Sequence, residues 1–482
     1  MIDLRPVLLV VGVLLATLGC AMMIPALYDL AVANDDWQIF AAAAMLSLFV
    51  GIGLAFANRG RARQFTIKQA FLFTNLSWLV LTAFGALPFA WSQLDVSYTD
   101  AFFESMSGIT TTGATVLTGL DKAPPGILLW RALLQWLGGL GIIVMAFSIL
   151  PMLQIGGMQL FKVEAFDTAG KVMPQATQIA AAICAFYLVL TALCAIAYFF
   201  TGMSVFDAIV HALTTLSTGG FSSHDASLAY FASEWVEIVA ILFMVAGSLP
   251  FVLYVKAYHG RAEDLFADDQ VRWFFGAVAI FSLLAWFSYQ SAHAEPHETR
   301  IITVVFNVVS VMTGTGYATT AYDNWSSMAV VLFFFVMFVG GCSGSTSCGI
   351  KIFRFRVIFE MIRVRARSIV HPRGVFIERY NGLPIPDKVS SAVVSLLFLF
   401  LLGFFVSATL LSLMGLDPLT ALSAAASAIA NVGPGLGPQI GPVGNYAGLP
   451  DAAKWVLSFT MLFGRLEMMT LLVLFMPVFW RA

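Results

Sequence analysis

The residues of this chain best suited to chemistry are small hydroxyls beside glycines, and they recur four times. Residues 107–117 read SGITTTGATVL, and the related stretches are HALTTLSTGGF, VVSVMTGTGYA and ASAIANVGPGL. They align on one glycine each, Gly113, Gly219, Gly316 and Gly433, about one hundred residues apart. Ser107, Ser310 and Ser427 stand six residues before that glycine, with Leu213 in the equivalent place of the second stretch. The pairs ahead of the glycines are Thr111 and Thr112, Ser217 and Thr218, Gly314 and Thr315, and Asn431 and Val432. Backbone carbonyls and hydroxyls of this kind replace the water shell of a dehydrated cation. Glycine permits the dihedrals that stacking such carbonyls requires. One copy would mean little, because small residues also let helices pack closely. Four copies at matching positions imply a ring of oxygens around one axis. The fourth, with Pro434, departs most from a threonine-glycine pattern, so its side chains are expected to contribute least.

Such a ring needs elements to hold it, and the composition says they cross a membrane. Of 482 residues, 60% are hydrophobic and 11% charged, where a soluble chain carries about 25% charged. Ten apolar segments approach bilayer length: 6–28, 37–57, 70–92, 126–153, 177–200, 235–257, 271–290, 326–350, 388–414 and 452–480. The first follows a weak charge cluster (Asp3, Arg5) and has a second span close behind, so it reads as a mature helix, not a signal peptide. Each glycine stretch follows a piece of about ten helix-compatible residues, such as 100–109 or 206–215, too short to span, which must enter and return. Asp100, Asp207 and Asp417 stand near three of the starts, where carboxylates favour a helix N-terminus. The partly negative C-terminal ends then point toward the membrane centre. Irregular backbone at that depth survives only inside protein or along a watery cavity.

With the N-terminus in the cytoplasm, the connections 59–68 (Arg59, Arg61, Arg63, Lys68), 158–176, 256–272 and 351–388 all fall inside. Lys122, Arg131, Arg300 and Lys454 fall outside and Arg465 lies within a span, leaving 20 of the 25 Lys and Arg on the cytoplasmic side. The 351–388 segment, with Lys351, Arg354, Arg356, Arg363, Arg365, Arg367, Arg373, Arg379 and Lys388, also suits lipid headgroups or an acidic partner. Cys20, Cys184, Cys194, Cys342 and Cys348 show no metal spacing and are expected to be free thiols.

Two features break the apolar pattern. GGCSGSTSCG (340–349) interrupts a span with Gly340, Gly341, Gly344, Ser345 and Gly349, and each glycine costs a helix about 1 kcal/mol. It is either close packing through small residues or a flexible loop beneath the ring that gates a pathway, with Lys351 anchoring it at the inner mouth. Arg465 falls about ten residues into the last span, roughly 15 Å below its outer end. A charge there faces a bundle interior or a water path. It serves either in an ion pair with another helix or as a cation beneath the ring that limits flux; Glu467, two residues on, is a poor intrahelical partner. His211 is expected to be structural, and Glu104 to pair with Arg131.

Together with the four stretches, GGCSGSTSCGIKIFR (340–354) and the arginine in FGRLEMM resemble the Trk/Ktr/HKT superfamily of cation transporters, and within it the bacterial TrkH-type potassium uptake subunits. The resemblance covers essentially the whole chain. It implies an all-α polytopic membrane protein with four membrane-pore-membrane repeats around a pseudo-four-fold pore, plus an N-terminal two-helix hairpin. The expected units are the hairpin (1–66) and repeats at 67–158, 159–258, 259–387 and 388–482. It also implies potassium as the transported ion, a homodimer in the bacterial inner membrane, and gating by a cytoplasmic nucleotide-binding RCK-type (TrkA-like) subunit. Members with serine at the first glycine pass sodium more readily, so Gly113 places this chain on the potassium side.

Other classes fit less well. An enzyme needs clustered Asp, His or Glu at membrane depth, and the six histidines are scattered. Walker A and GxGxxG are absent, so any nucleotide is expected on a partner and none on this chain. An ion-coupled secondary potassium transporter is the alternative. It usually has inverted repeats and a charged binding site, whereas these repeats share one orientation and an uncharged ring. The four stretches argue against a non-transporting scaffold.

Overall fold

The structure, a computed structural model, describes residues 2–60, 65–148, 176–292 and 300–481. Arg61, Arg63, nearly all of the 158–176 connection and the last residues of the 126–153 span lie outside the described residues. Among the described residues seven helices are long and apolar enough to cross a membrane, and two bent helix pairs raise this to nine. The chain is an all-α polytopic membrane protein. Its only paired strands among the described residues are a two-residue hairpin, Arg379–Tyr380 with Leu383–Pro384.

An N-terminal hairpin, Arg5–Ala31 and Trp37–Ala57, packs against the first repeat. Each repeat is then an outer helix, a short re-entrant helix and an inner helix. The outer helices are Ile67–Gly85 (continued by Leu87–Trp91), Ala176–Phe200, Asp269–Ala292 and Asp387–Leu413. The re-entrant pore helices are Tyr98–Ile109, Val205–Leu216, Ile301–Met312 and Pro418–Ala430. Three of them start on side-chain caps. Ser97 accepts from the Asp100 amide, Ser204 from the Asp207 amide, and Asp417 from the Thr420 amide. The third begins at Arg300 without one. From Ala101 to Ile109 the first pore helix is buried on every side, which its mixture of Phe, Glu, Ser and Gly would not permit against lipid.

The inner helices differ from straight spans. Only Pro125–Ser148 runs unbroken. The expected 235–257 span bends by 91° between Glu234–Ser248 and Phe251–Tyr258. Pro250 lacks an amide hydrogen and drives Leu249 into extended backbone. The 326–350 span is helical only over Ser327–Val336, then irregular until helix resumes at Ile352. The 452–480 span bends by 113° between Asp451–Arg465 and Met469–Phe475, at left-handed Glu467 and Met468. That turn carries Glu467 to Arg354, 2.5 Å away. Beyond the break in the third repeat, Ile352–Val370 is a basic helix ending at the strand hairpin. All five cysteines are free thiols.

The N-terminal hairpin closes through glycine. A side chain on Gly51 would press on the Ala16 amide and the Gly12 carbonyl, and one on Gly12 would meet Gly51 and Ala55 in return. Gly51→Val should therefore destabilise the hairpin by about 1–3 kcal/mol. Thermal unfolding of the detergent-solubilised protein reads this, and an unchanged midpoint would show that the two helices do not meet so closely.

Candidate functional site

Each pore helix ends the same way. The amides of Thr112, Gly219, Thr315 and Val432 return to the carbonyls of Ser107, Thr214, Ser310 and Ser427, at 2.8, 2.9, 2.9 and 3.0 Å. The residue before each is left-handed: Thr111 (φ 53°), Thr218 (52°), Gly314 (74°) and Asn431 (53°). The residue after each is a glycine at positive φ: Gly113 (85°), Gly220 (77°), Gly316 (79°) and Gly433 (106°). The second stretch is thus one residue out of register with the alignment on Gly219. Its triplet is Thr218–Gly219–Gly220, and Ser217 is the cap of the helix before it. Adjacent glycines made the sequence alignment degenerate; the hydrogen bond to Thr214 decides it. That shift also puts the Thr214 hydroxyl, not Leu213, at the position of Ser107, Ser310 and Ser427.

The four triplets close into a ring. A side chain on Gly113 would overlap the carbonyl oxygen of Gly219, one on Gly220 that of Thr315, one on Gly316 that of Val432, and one on Gly433 that of Thr112. Repeat one meets two, two meets three, three meets four and four meets one. All four positive-φ glycines line a single outer cavity of about 70 Å³, so the ring surrounds one axis. The side chains of the middle residues are tied off it. The Thr112 hydroxyl bonds those of Thr110 (2.8 Å) and the Asn431 amide (2.9 Å), and Thr315 bonds Thr313 (2.7 Å).

The ring is braced from behind. Glu104 and Arg131 pair at 2.8 Å, both fully buried. Glu104 also accepts from the Val116 amide (2.9 Å), while Arg131 donates to the Ser222 carbonyl (2.7 Å) and covers the Phe221 ring. One ion pair therefore joins the strands leaving the first and second triplets. His211 is structural: Nδ1–H donates to the Asp207 carbonyl (2.8 Å), which leaves Nε2 to accept from the Ser222 hydroxyl (2.9 Å). Gln135, polar in mid-span and passed over in the sequence, lies directly behind Gly219.

Beneath the ring lies the loop 340–351. Gly340, Gly341, Gly344, Ser345 and Gly349 do not form a continuous helix. The Thr346 hydroxyl donates to the carbonyls of Leu216 (3.0 Å) and Gly247 (2.8 Å), and the Ser347 hydroxyl to that of Thr313 (2.6 Å). The loop thus satisfies orphan carbonyls at the ends of two pore helices. Its Cys348 sulfur sits 3.5 Å from the Thr111 hydroxyl, and Lys351 Nζ donates to the Ser347 carbonyl. Arg465 is the fifteenth residue of its helix, deeper than ten. Among the described residues it has no carboxylate within ion-pair distance, and Glu467 pairs with Arg354 instead. Arg465 Nη1 donates to the Thr346 carbonyl (3.2 Å) and to the Cys348 sulfur. A cavity of about 50 Å³, room for a water or two, lies between loop, Asn431, Lys351 and Arg465.

The model of a family of cation transport proteins, TrkH, matches residues 37–481. The chain belongs to the TrkH family. It is 45% identical to a Trk system potassium uptake protein TrkI of Halomonas elongata, over 99% of this chain and 97% of that protein. It is 37% identical to the TrkH protein of Escherichia coli K12, over 99% of both. The crystal structure of the potassium transporter TrkH from Vibrio parahaemolyticus superposes with a TM-score of 0.92 over 100% of both chains, at 36% identity. These relatives are transporters, which sets the chain apart from the enzyme class.

Two outcomes follow from the bracing. Glu104→Ala leaves a buried guanidinium without its carboxylate and should cost about 3–5 kcal/mol in thermal unfolding; a shift under about 1 kcal/mol would show that water reaches Arg131. At the outer surface His224 lies 2.6 Å from Asp121 and 3.3 Å from Asp207, stacked on Tyr230. Burial disfavours its charged form, but the bonds to Asp207 and Asp121 prevail and raise its pKa. A raised histidine pKa stabilises fully below the unfolded value of about 6.5 and loses that stabilisation as pH climbs through the folded value. The excess melting temperature of the parent over His224→Gln should therefore be greatest below about pH 6.5 and shrink at higher pH. A gap that widens with rising pH would overturn the assignment.

Proposed function

We propose that this chain carries potassium into the cell through the axial ring, which acts as a carbonyl selectivity filter. The observation that carries the reading is the closed contact of each middle carbonyl with the preceding repeat's glycine, the first repeat's meeting the fourth. Such a ring presents fixed oxygens to a cation stripped of water, with no side-chain charge to trap it. The names of the relatives, potassium uptake proteins, support the choice of ion. The filter residues are Thr111, Thr112 and Gly113; Thr218, Gly219 and Gly220; Gly314, Thr315 and Gly316; and Asn431, Val432 and Gly433. Ser217 stands just before them as a helix cap.

The loop at 340–349 is the gate, clasped by Lys351 and Arg465. Its hydroxyls and glycines suit a segment that exchanges one set of hydrogen bonds for water when it moves aside. The bias of basic residues puts the N-terminus in the cytoplasm of a bacterial inner membrane. Arg363, Arg365 and Arg367, exposed on the helix Ile352–Val370, form the surface for a cytoplasmic RCK-type, nucleotide-binding regulator. The assembly is a homodimer, and this chain binds no nucleotide.

Rubidium and sodium flux into liposomes holding the purified chain tests the reading. Selective downhill flux without a proton or sodium gradient is expected; flux that requires such a gradient would indicate ion-coupled secondary transport. Gly113→Ser should weaken selectivity, because its side chain would overlap the Gly219 carbonyl; unchanged reversal potentials in mixed sodium and potassium would remove Gly113 from the filter.

Removal of 344–349 should raise flux several-fold and lessen dependence on a cytoplasmic partner. A folded deletion that conducts no better than the parent makes the loop packing alone. Arg465→Ala should also raise flux with little change in selectivity. At roughly 6 Å and a dielectric near 20, one charge repels a passing cation by about 3 kcal/mol. Arg465→Lys should stay near the parent if charge is the agent. A destabilised, slower alanine variant, with stability and flux measured on one preparation, would sink the gate role.

A further inference from the structure

The second quadrant of the ring lacks what the other three possess. Thr112, Thr315 and Val432 each carry a side chain behind their carbonyl, whereas the residue in that place in repeat two is Gly219, followed by Gly220. A glycine pair is the most pliable backbone a chain offers. The vacant side-chain space is filled from another repeat. A side chain on Gly219 would overlap the carboxamide of Gln135, which is fully buried on the inner helix of repeat one. Gln135 Nε2 donates to the Gly219 carbonyl at 2.6 Å, and its Oε1 accepts from the Phe221 amide at 3.0 Å. The amide's orientation is settled by chemistry, since a backbone N–H only donates and a carbonyl only accepts. Gln135 thus spans the glycine pair from both ends, holding residues 219 and 221.

We infer that Gln135 is a positioning residue for ion discrimination: it substitutes for the missing side chain of the second quadrant and fixes the direction of the Gly219 carbonyl. The carbonyl keeps a second lone pair for the ring, and that oxygen is the one seated against Gly113. Without the clamp the Gly219 carbonyl loses its hydrogen-bond donor, and the Gly219–Gly220 peptide keeps the long 3.4 Å bond from the Gly220 amide to the Thr214 carbonyl, which lets the oxygen tilt. The ring then loses one fixed oxygen and tolerates an ion of different size. The inference rests on the filter reading above.

Gln135→Ala in the full chain, reconstituted in liposomes, tests it. Reversal potentials in mixed potassium and sodium should show the potassium preference reduced by about threefold or more, the scale of one lost hydrogen bond, while rubidium flux persists. A purely structural glutamine would lower the melting temperature and leave the permeability ratio alone. The double variant Gln135→Ala with Gly219→Thr rebuilds the second quadrant in the manner of the first and third. It should regain most of the preference, because residue 219 does not need positive φ. Should the alanine variant not assemble, Gly219→Ala makes the same test from the ring side, since its methyl displaces the amide. A parental ratio in Gln135→Ala, or in Gly219→Ala in its place, overturns the inference. Gly113→Ser on the same day separates the two ideas. If it too leaves the ratio unchanged, the filter reading fails; if it shifts the ratio and the Gln135 variant does not, only the role of Gln135 fails.

Discussion

Four carbonyl oxygens occupy the space that four side chains would need, and the rest of the molecule depends on that contact. At Gly113, Gly220, Gly316 and Gly433 a methyl would overlap the preceding oxygen of the neighbouring repeat. The positive φ at each already disfavours any other residue. Because the ring closes on itself, no quadrant can shift alone. That is a demanding arrangement for irregular backbone at membrane depth, where every polar group needs a partner. The surrounding structure supplies many of them: the carbonyls six residues before each glycine close the turns, and Glu104, Arg131 and Gln135 hold the strands that leave them.

The same demand explains the loop below. Pore helices end with unpaired carbonyls, and these ends point into the protein. Thr346 and Ser347 answer the carbonyls of Leu216 and Thr313. The small polar residues of GGCSGSTSCG are therefore both what breaks the span and what makes the break tolerable. Arg465 reaches the loop from the fourth repeat, while the bend at Glu467 and Met468 turns the next acid away to Arg354. Arg354 and Arg465, both buried, line one cavity with Glu467; the carboxylate pairs with Arg354, and Arg465 bonds the Thr346 carbonyl and the Cys348 sulfur.

The hairpin and the outer helices need less. They are apolar on most faces, so burial and lipid both suit them, and their boundaries follow hydropathy. The inner helices carry the geometry, and three of the four are bent or broken where they pass the ring.

Hydropathy, repeat spacing and the glycine-hydroxyl stretches by themselves determined the membrane class, the fourfold repetition, the short pore helices and the position of the ring, because each is a local property of composition. The Glu104–Arg131 pair was legible too, since two opposite charges in apolar segments must find one another. What local pattern does not encode is which of two neighbouring glycines bears the positive φ. Gly219 and Gly220 are equal in sequence, and only the return bond to Thr214 and the Thr315 carbonyl of the next repeat separate them. The bend at Glu467, the reach of Gln135 across to Gly219 and the hold of Arg465 on Cys348 were likewise decided in the tertiary structure. Each joins residues 84 or more positions apart, and a single sequence records the residues of such a contact without recording that they meet.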